Sequence, residues 1–199
     1  MSGASLRQAL WHPYVNRVNA PPALRDWLTS GGSLTARLMA HGEAFRVQRL
    51  HQRRAPCLAD EAAALHLPRA VQVLEREVLL RCDDTPVVFA HTVVPLSATA
   101  SDWPLFGGLG ERSLGSTLFY DPQVARGELE FARIRAGHPL MERARAALDL
   151  NLAGETVLYA RRCLYRRHRG VLLVTEVFLP PVAALVRRDV TAAPTNNTK

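Results

Sequence analysis

The segment VQVLEREVLL (residues 71–80), the polar RCDDTP (81–86) and VVFAHTVVP (87–95) together decide the fold. Dense β-branched and apolar residues on either side of a turn-forming stretch read as a β-hairpin from Val71 to Pro95. Side chains alternate between the two faces of a strand, so Leu74, Val78 and Leu80 share a face with Arg76, while Glu75 and Glu77 point the other way beside Val71 and Val73. Arg76 is therefore a cation on an otherwise apolar face. His91 falls among Val87, Phe89 and Val93, where a histidine is most simply a hydrogen-bonded core residue.

A second hairpin follows the same logic: TVLYARRCLYR (156–166), the turn RHRG (167–170), then VLLVTEVFLP (171–180). Sorting its faces places Glu176 with Leu172, Val174 and Phe178, one carboxylate on an apolar side. Arg161 falls with Tyr159, Cys163 and Tyr165, whereas Arg162 and Arg166 fall with Leu158 and Leu164. Burying a charge without a partner costs several kcal/mol or more. Arg76 and Glu176 thus need each other or a ligand, and a buried ion pair, edge positions reaching solvent and a ligand site all satisfy that requirement.

Outward from the hairpins, Pro22 to Thr29 reads as a helix stopped by Gly31-Gly32, and a second helix opens with Ser33 as N-cap and closes at Gly42. Glu43 to His51 alternates as a strand, and Leu58 to His66 reads as an alanine-rich helix ended by Pro68. FGGLGERSLGS (106–116) is a glycine-rich loop whose spacing fits neither GxGxxG nor a P-loop. Ser113 within it is placed to cap a helix beginning at Leu114. Leu34 and Leu114 each follow a capping serine, which leaves a backbone N–H free at the positive end of a helix, where carboxylates bind. Pro139 to Leu150 is an amphipathic helix, Asn151 to Glu155 a turn, and a short helix runs from Pro180-Pro181 to Arg188. With no internal repeat or linker, residues 1–190 form one domain, and TAAPTNNTK (191–199) is a polar tail expected to be disordered.

Composition removes several classes. The chain has 199 residues, 48% of them hydrophobic, with 25 Lys+Arg against 18 Asp+Glu for a formal charge of +7. Lys199 is its one lysine, so the basicity is scattered arginine rather than a lysine-rich arm. Arg161, Arg162, Arg166, Arg167 and Arg169 with Tyr159 and Tyr165 have the makings of a nucleic-acid patch, but alternation splits them across two faces, and a solvated hairpin tip is the simpler reading. Cys57, Cys82 and Cys163 are widely spaced without CxxC, which argues against a disulfide framework or a zinc site and for a reducing cytoplasm. No signal-peptide core and no apolar stretch of about 18 residues is present, so stable membrane insertion is not expected. GxSxG and HExxH are absent. An enzyme with this sequence is expected to work without metal, redox cofactor or covalent intermediate.

The strands themselves resemble the chorismate pyruvate-lyase family. The matching blocks are SLTARL (33–38), REVLL (76–80), HTVVP (91–95), SLGSTLF (113–119), ARR (160–162) and LVTEVFLP (173–180), in the family's order. The resemblance implies a single α+β domain, an antiparallel sheet of about six strands with helices on one side and helical flaps over a buried ligand site. It implies elimination of pyruvate from chorismate to give 4-hydroxybenzoate for ubiquinone biosynthesis, in a cytoplasmic monomer that needs no nucleic acid or cofactor. By the family's pattern Arg76 binds the ring carboxylate, Glu176 meets the hydroxyl at the opposite end of the ring, and Leu34 and Leu114 contact ligand through their main chain. An arginine, Arg161 or Arg162, or else His91, is the expected holder of the enolpyruvyl carboxylate. His91 is a departure, since the family often carries arginine there. Two alternatives stand beside this reading. One is a non-catalytic sensing domain of the same fold for aromatic carboxylates, although the residues ahead of the first strand show no helix-turn-helix with a basic recognition helix. The other is a nucleic-acid binder with steeply salt-dependent affinity.

Overall fold

A computed structural model describes residues 7–68, 71–148 and 154–187. Strands β1 (Phe45–Pro56), β2 (Gln72–Cys82), β3 (Thr85–Pro95), β4 (Val124–Arg135), β5 (Val157–Arg167) and β6 (Gly170–Phe178) form one six-stranded antiparallel sheet in the order β1-β2-β3-β6-β5-β4. Helices α1 (Pro22–Thr29), α2 (Leu34–Met39), α3 (Ala59–Ala64), α4 (Leu114–Tyr120) and α5 (Pro139–Ala147) pack against it. Both hairpins read from the sequence are present, and their pairing through β3 and β6 makes the sheet's centre. In the β2–β3 turn Asp83 and Asp84 both take positive φ, 47° and 62°, the backbone a two-residue hairpin requires and one that aspartate tolerates. The Asp83 carboxylate accepts from the amides of Glu43 and Ala44 at 2.7 and 2.8 Å, which ties the entry of β1 to this turn.

Helices cover both faces. On one, Leu24, Trp27 and Leu28 of α1 and Leu34 and Leu38 of α2 pack on Val47, Val78, Leu80, Ala90 and Phe178. The loop ahead of α4 adds Trp103, Phe106 and Leu109 over Val94, Tyr165 and Leu172. On the other face Leu140, Met141 and Ala144 of α5 cover Leu79, Phe89, Ile134 and Val177, and α3 covers Val73, Val93 and Leu173. The expected helices on one side therefore describe only half of the arrangement. The central strands are buried on both faces, and each face needs its own cover.

Two strands depart from simple alternation. β1 runs past His51 to Pro56, beyond the stretch read as a strand, because a bulge between Arg49 and His51 breaks its periodicity. β4 was not legible as a strand. Between Arg126 and Leu129 two of its residues face the single Leu164 of β5, and a Cβ on Gly127 would lie 2.9 Å from the Leu164 carbonyl oxygen. The bulge reverses the facing of everything ahead of it, so Arg126 shares the face of Leu129 and Phe131 despite its odd offset. The edge of β4 is partly covered by the bridge of His12 to Phe131. The segment after Pro180 is a short 3-10 turn, Pro180–Ala184, rather than a helix to Arg188. The ends of the expected 139–150 and 180–188 helices, most of the 151–155 turn and the 191–199 tail lie outside the described residues.

Candidate active site

The α1, α2 and α4 side of the sheet holds a cavity of about 560 Å³ of empty space, part of it open to solvent. Its floor comes from the sheet: Val47, Arg76, Val78, Leu80, Ala90, Thr92, Val174, Glu176, Arg161, Tyr165 and Arg126. Its roof is the N-terminal ends of α2 and α4, with Gly32, Leu34 and Thr35 facing Ser113, Leu114, Gly115 and Leu118. Arg76, Glu176, Leu34 and Leu114, singled out in the sequence, all line this one cavity.

The two roof elements lock together. Ser33 caps α2 by accepting from the Ala36 amide at 3.3 Å, whereas the Ser113 hydroxyl does not cap α4. It lies instead 2.6 Å from the Thr35 hydroxyl across the gap between the helices. A Cβ on Gly115 would approach Thr35 Oγ1 to 3.1 Å, so the absent side chain lets the helix ends meet. Leu34 and Leu114 are each the first residue of their helix, where an N–H has no intrahelical carbonyl to bond.

Arg76 is 2% exposed. Its Nη2 donates to the carbonyls of Gly110 and Arg112 at 3.1 and 3.0 Å, and its buried Nε has no partner. Burial, with a smaller push from Arg49, draws its pKa down to about 10, so it stays charged at neutral pH. Among the described residues no carboxylate pairs with it.

Glu176 has a different partner from the one the sequence left open. Arg161 faces it across β5 and β6, and Nε donates to Glu176 Oε2 at 2.5 Å. Arg161 Nη1 donates to the carbonyls of Trp27, Leu28 and Ser30 at the end of α1, at 3.3, 3.3 and 2.8 Å. One guanidinium therefore satisfies a helix terminus and orients the acid. Arg76 and Glu176 stand two strands and one pleat apart, since Arg76 pairs with Thr92, Thr92 with Val174, and Glu176 lies two residues beyond. That separation is about 10 Å across the strands and about 7 Å along them, which places the unmatched cation and the acid at opposite ends of the cavity.

The other side chains expected to hold an anion are elsewhere. Arg162 and His91 lie on the opposite face, as the alternation that groups them with Leu158 and Phe89 requires. Arg162 bonds Glu130 at 2.8 Å and the Asp60 carbonyl at 3.0 Å. His91 is fully buried, with Nδ1 3.0 Å from Glu77 Oε1 and Nε2 at ion-pair distance, 3.0 Å, from Glu61 Oε1. Burial opposes its charge, but the two glutamates prevail and raise its pKa to about 10. Glu77 also binds Arg143 at 2.7 Å, and Glu75 binds Arg143, Arg53 and His51. His51, Glu75 and Glu77 offer ligand atoms close enough together for a metal ion, on the face away from the cavity. Sequence reasoning missed Arg126, the cavity's remaining cation. Its signal was hidden by the bulge.

An open antiparallel sheet carrying a roofed cavity lined by Arg76, Arg126, Arg161 and Glu176 defines the chain as an α+β domain with a cation-rich cavity. The fold is shared with a GntR-family transcriptional regulator from Bacillus cereus, with a TM-score of 0.52 at 13% identity, covering 74% of this chain and 98% of that one. The sequence is more specific: the chorismate lyase family model matches residues 5–188, and the chain belongs to that family. A probable chorismate pyruvate-lyase of Cupriavidus metallidurans is 46% identical over 187 residues, 94% of this chain and 87% of that protein. Another, from Ralstonia nicotianae, is 51% identical over 158 residues, covering 79% and 81%.

Proposed function

We propose that this protein eliminates pyruvate from chorismate to give 4-hydroxybenzoate, which feeds ubiquinone biosynthesis, without metal or organic cofactor. The observation that carries the reading is Arg76, a buried guanidinium facing a roofed cavity with a free Nε and no acid to match it. A buried cation of this kind is costly in the empty protein and is compensated when a carboxylate arrives.

In this reading Arg76 and the Leu34 amide hold the ring carboxylate, the Leu114 amide adds a main-chain contact, and Glu176 meets the hydroxyl at the other end. The ether bond to the ring breaks, and the adjacent ring carbon, which bears the hydroxyl, loses its proton. The ring becomes aromatic, and the departing enolpyruvate takes up a proton on its methylene carbon to become pyruvate. No electrons are exchanged with an outside partner, and aromatisation drives the step. The protein's task in this reading is to hold one conformer away from water and to steer the proton, a role given to Glu176, whose carboxylate Arg161 orients. The roofed site supports slow release of the flat product.

The protein is proposed to act as a monomer in the cytoplasm, as a single domain over 1–190, without nucleic acid. No helix among the described residues is long and apolar enough to cross a membrane. Equilibrium binding tests the carboxylate clamp: 4-hydroxybenzoate should bind at least a hundredfold more tightly than phenol. Equal affinity would remove Arg76 from its role.

A further inference from the structure

Four charged side chains line the cavity: Arg76, Arg126, Arg161 and Glu176. Three cations against one acid leave an excess of two positive charges, and Arg161 and Glu176 are already paired. The excess therefore belongs to Arg76 and Arg126, which rise from β2 and β4 near opposite sides of the sheet.

Arg126 is held without being satisfied. Its Nη1 donates to the Gly31 carbonyl, in the loop joining α1 to α2, and its guanidinium lies 5.3 Å from the centre of the Phe119 ring. Its Nε is buried and has no partner. Burial opposes its charge, but Tyr165, Cys163 and Glu176 around it outweigh that cost and hold its pKa above the ordinary value. The second unmatched cation thus rises across the sheet from Arg76, from β4 beyond β6 and β5, level with Leu172 in the register where Arg76 is level with Val174. Gly127 is what brings it there, because the bulge it permits turns Arg126 onto this face.

We infer that Arg126 binds the second carboxylate of the substrate, the one on the three-carbon enol ether. The inference rests on the proposed elimination and deepens it. Two unmatched cations at opposite sides fit a dianion whose carboxylates are carried on a ring and on a side arm. Cleavage divides that dianion into two monoanions. The aromatic product keeps only the carboxylate held by Arg76, so Arg126 favours substrate over product.

The test compares Arg126→Gln with Arg76→Gln, reading the KM for chorismate and the inhibition constant of 4-hydroxybenzoate. Arg126→Gln should raise KM at least tenfold and move the product constant less than threefold, with Arg126→Lys in between. Arg76→Gln should weaken both. Parallel weakening of both constants in Arg126→Gln, or no change in either, would overturn the role of Arg126. Failure of Arg76→Gln to alter either constant would instead overturn the site on which the inference rests. The unaltered protein supplies a second measurement that does not depend on a variant folding. 3-(Carboxymethoxy)-4-hydroxybenzoate should bind at least tenfold more tightly than its side-arm amide, and equal binding would contradict a second carboxylate site.

Discussion

Arg161 and Glu176 face each other across β5 and β6, and the guanidinium that orients the carboxylate also closes the carbonyl end of α1. Helix position, and through it the loop to α2 and the roof, is thereby coupled to the acid at one end of the cavity. Arg161 is buried and Glu176 only partly so, and removing either leaves the other without its compensating charge. Arg161→Met should lower the melting temperature and also reduce kcat, as both the roof and Glu176 lose their anchor. Glu176→Gln keeps an acceptor for Arg161 and should lower kcat by about 10² or more, with the product constant shifted far less. Circular dichroism melts and steady-state kinetics on the same preparations separate the two effects. Unchanged turnover in Glu176→Gln would contradict its assignment.

Arg76 should show the opposite balance of stability and function. It is a desolvated cation whose hydrogen bonds go to two loop carbonyls and to no acid. Arg76→Met removes the buried charge, so the ligand-free protein should melt at the same temperature or higher. Affinity for 4-hydroxybenzoate should fall by about 10² or more, reflecting a lost charge-assisted bond from a buried guanidinium. Calorimetry of melting and of titration reads both. Strong destabilisation with binding retained would mean that Arg76 is structural.

His91 makes a prediction for pH. Its pKa is about 10 in the folded protein against an ordinary 6.5, so the stability it contributes is complete below about 6.5 and disappears as pH rises through 10. Glu77, held near 2 against an ordinary 4.5 because the His91 and Arg143 bonds outweigh its burial, contributes stability above 4.5 that is lost as pH falls towards 2. Urea midpoints should therefore decline on both sides of a plateau between about 4.5 and 6.5, to the extent these two groups govern it. His91→Arg should flatten the alkaline decline. Its product affinity should stay within about twofold, since His91 lies on the face away from the cavity. An unaltered alkaline slope would contradict the assignment of that decline to His91.

The roof should govern release. Thr35→Val breaks the 2.6 Å contact with Ser113 while keeping side-chain volume. The dissociation rate of 4-hydroxybenzoate, followed by stopped-flow displacement, should rise several-fold, and kcat should rise with it if release limits turnover. A dissociation rate no faster than in the unaltered protein would place the gate elsewhere.

Much of this was legible in the sequence because strands announce their faces. Arg76 among Leu74, Val78 and Leu80, and Glu176 among Leu172, Val174 and Phe178, stood out as charges where charges are costly, and both line the cavity. The partner of Glu176 was not legible, because alternation fixes a face and not which strand lies alongside. Arg161 became its partner only when β5 and β6 paired in a specific register. Arg126 and the far half of β1 were hidden by bulges, each of which shifts the period by one residue. The second helical layer was not legible, because the pattern of a single strand does not show that β2, β3 and β6 lie side by side at the centre of the sheet with both faces buried. His91 read as a hydrogen-bonded core residue, and it is one. That Glu75 and Glu77, read only as facing away from Arg76, join it in a buried ionic network beneath α3 and α5 was not legible, because Glu61 and Arg143 come from distant helices.

The most direct test is turnover itself. Purified protein is mixed with chorismate in buffer containing EDTA, 4-hydroxybenzoate is followed by ultraviolet absorbance and pyruvate by a coupled assay, and Glu176→Ala is run alongside. Equal amounts of the two products, lost in the variant, are predicted. No turnover, with thermal stabilisation by 4-hydroxybenzoate retained, would contradict the lyase and leave a binding domain of the same fold.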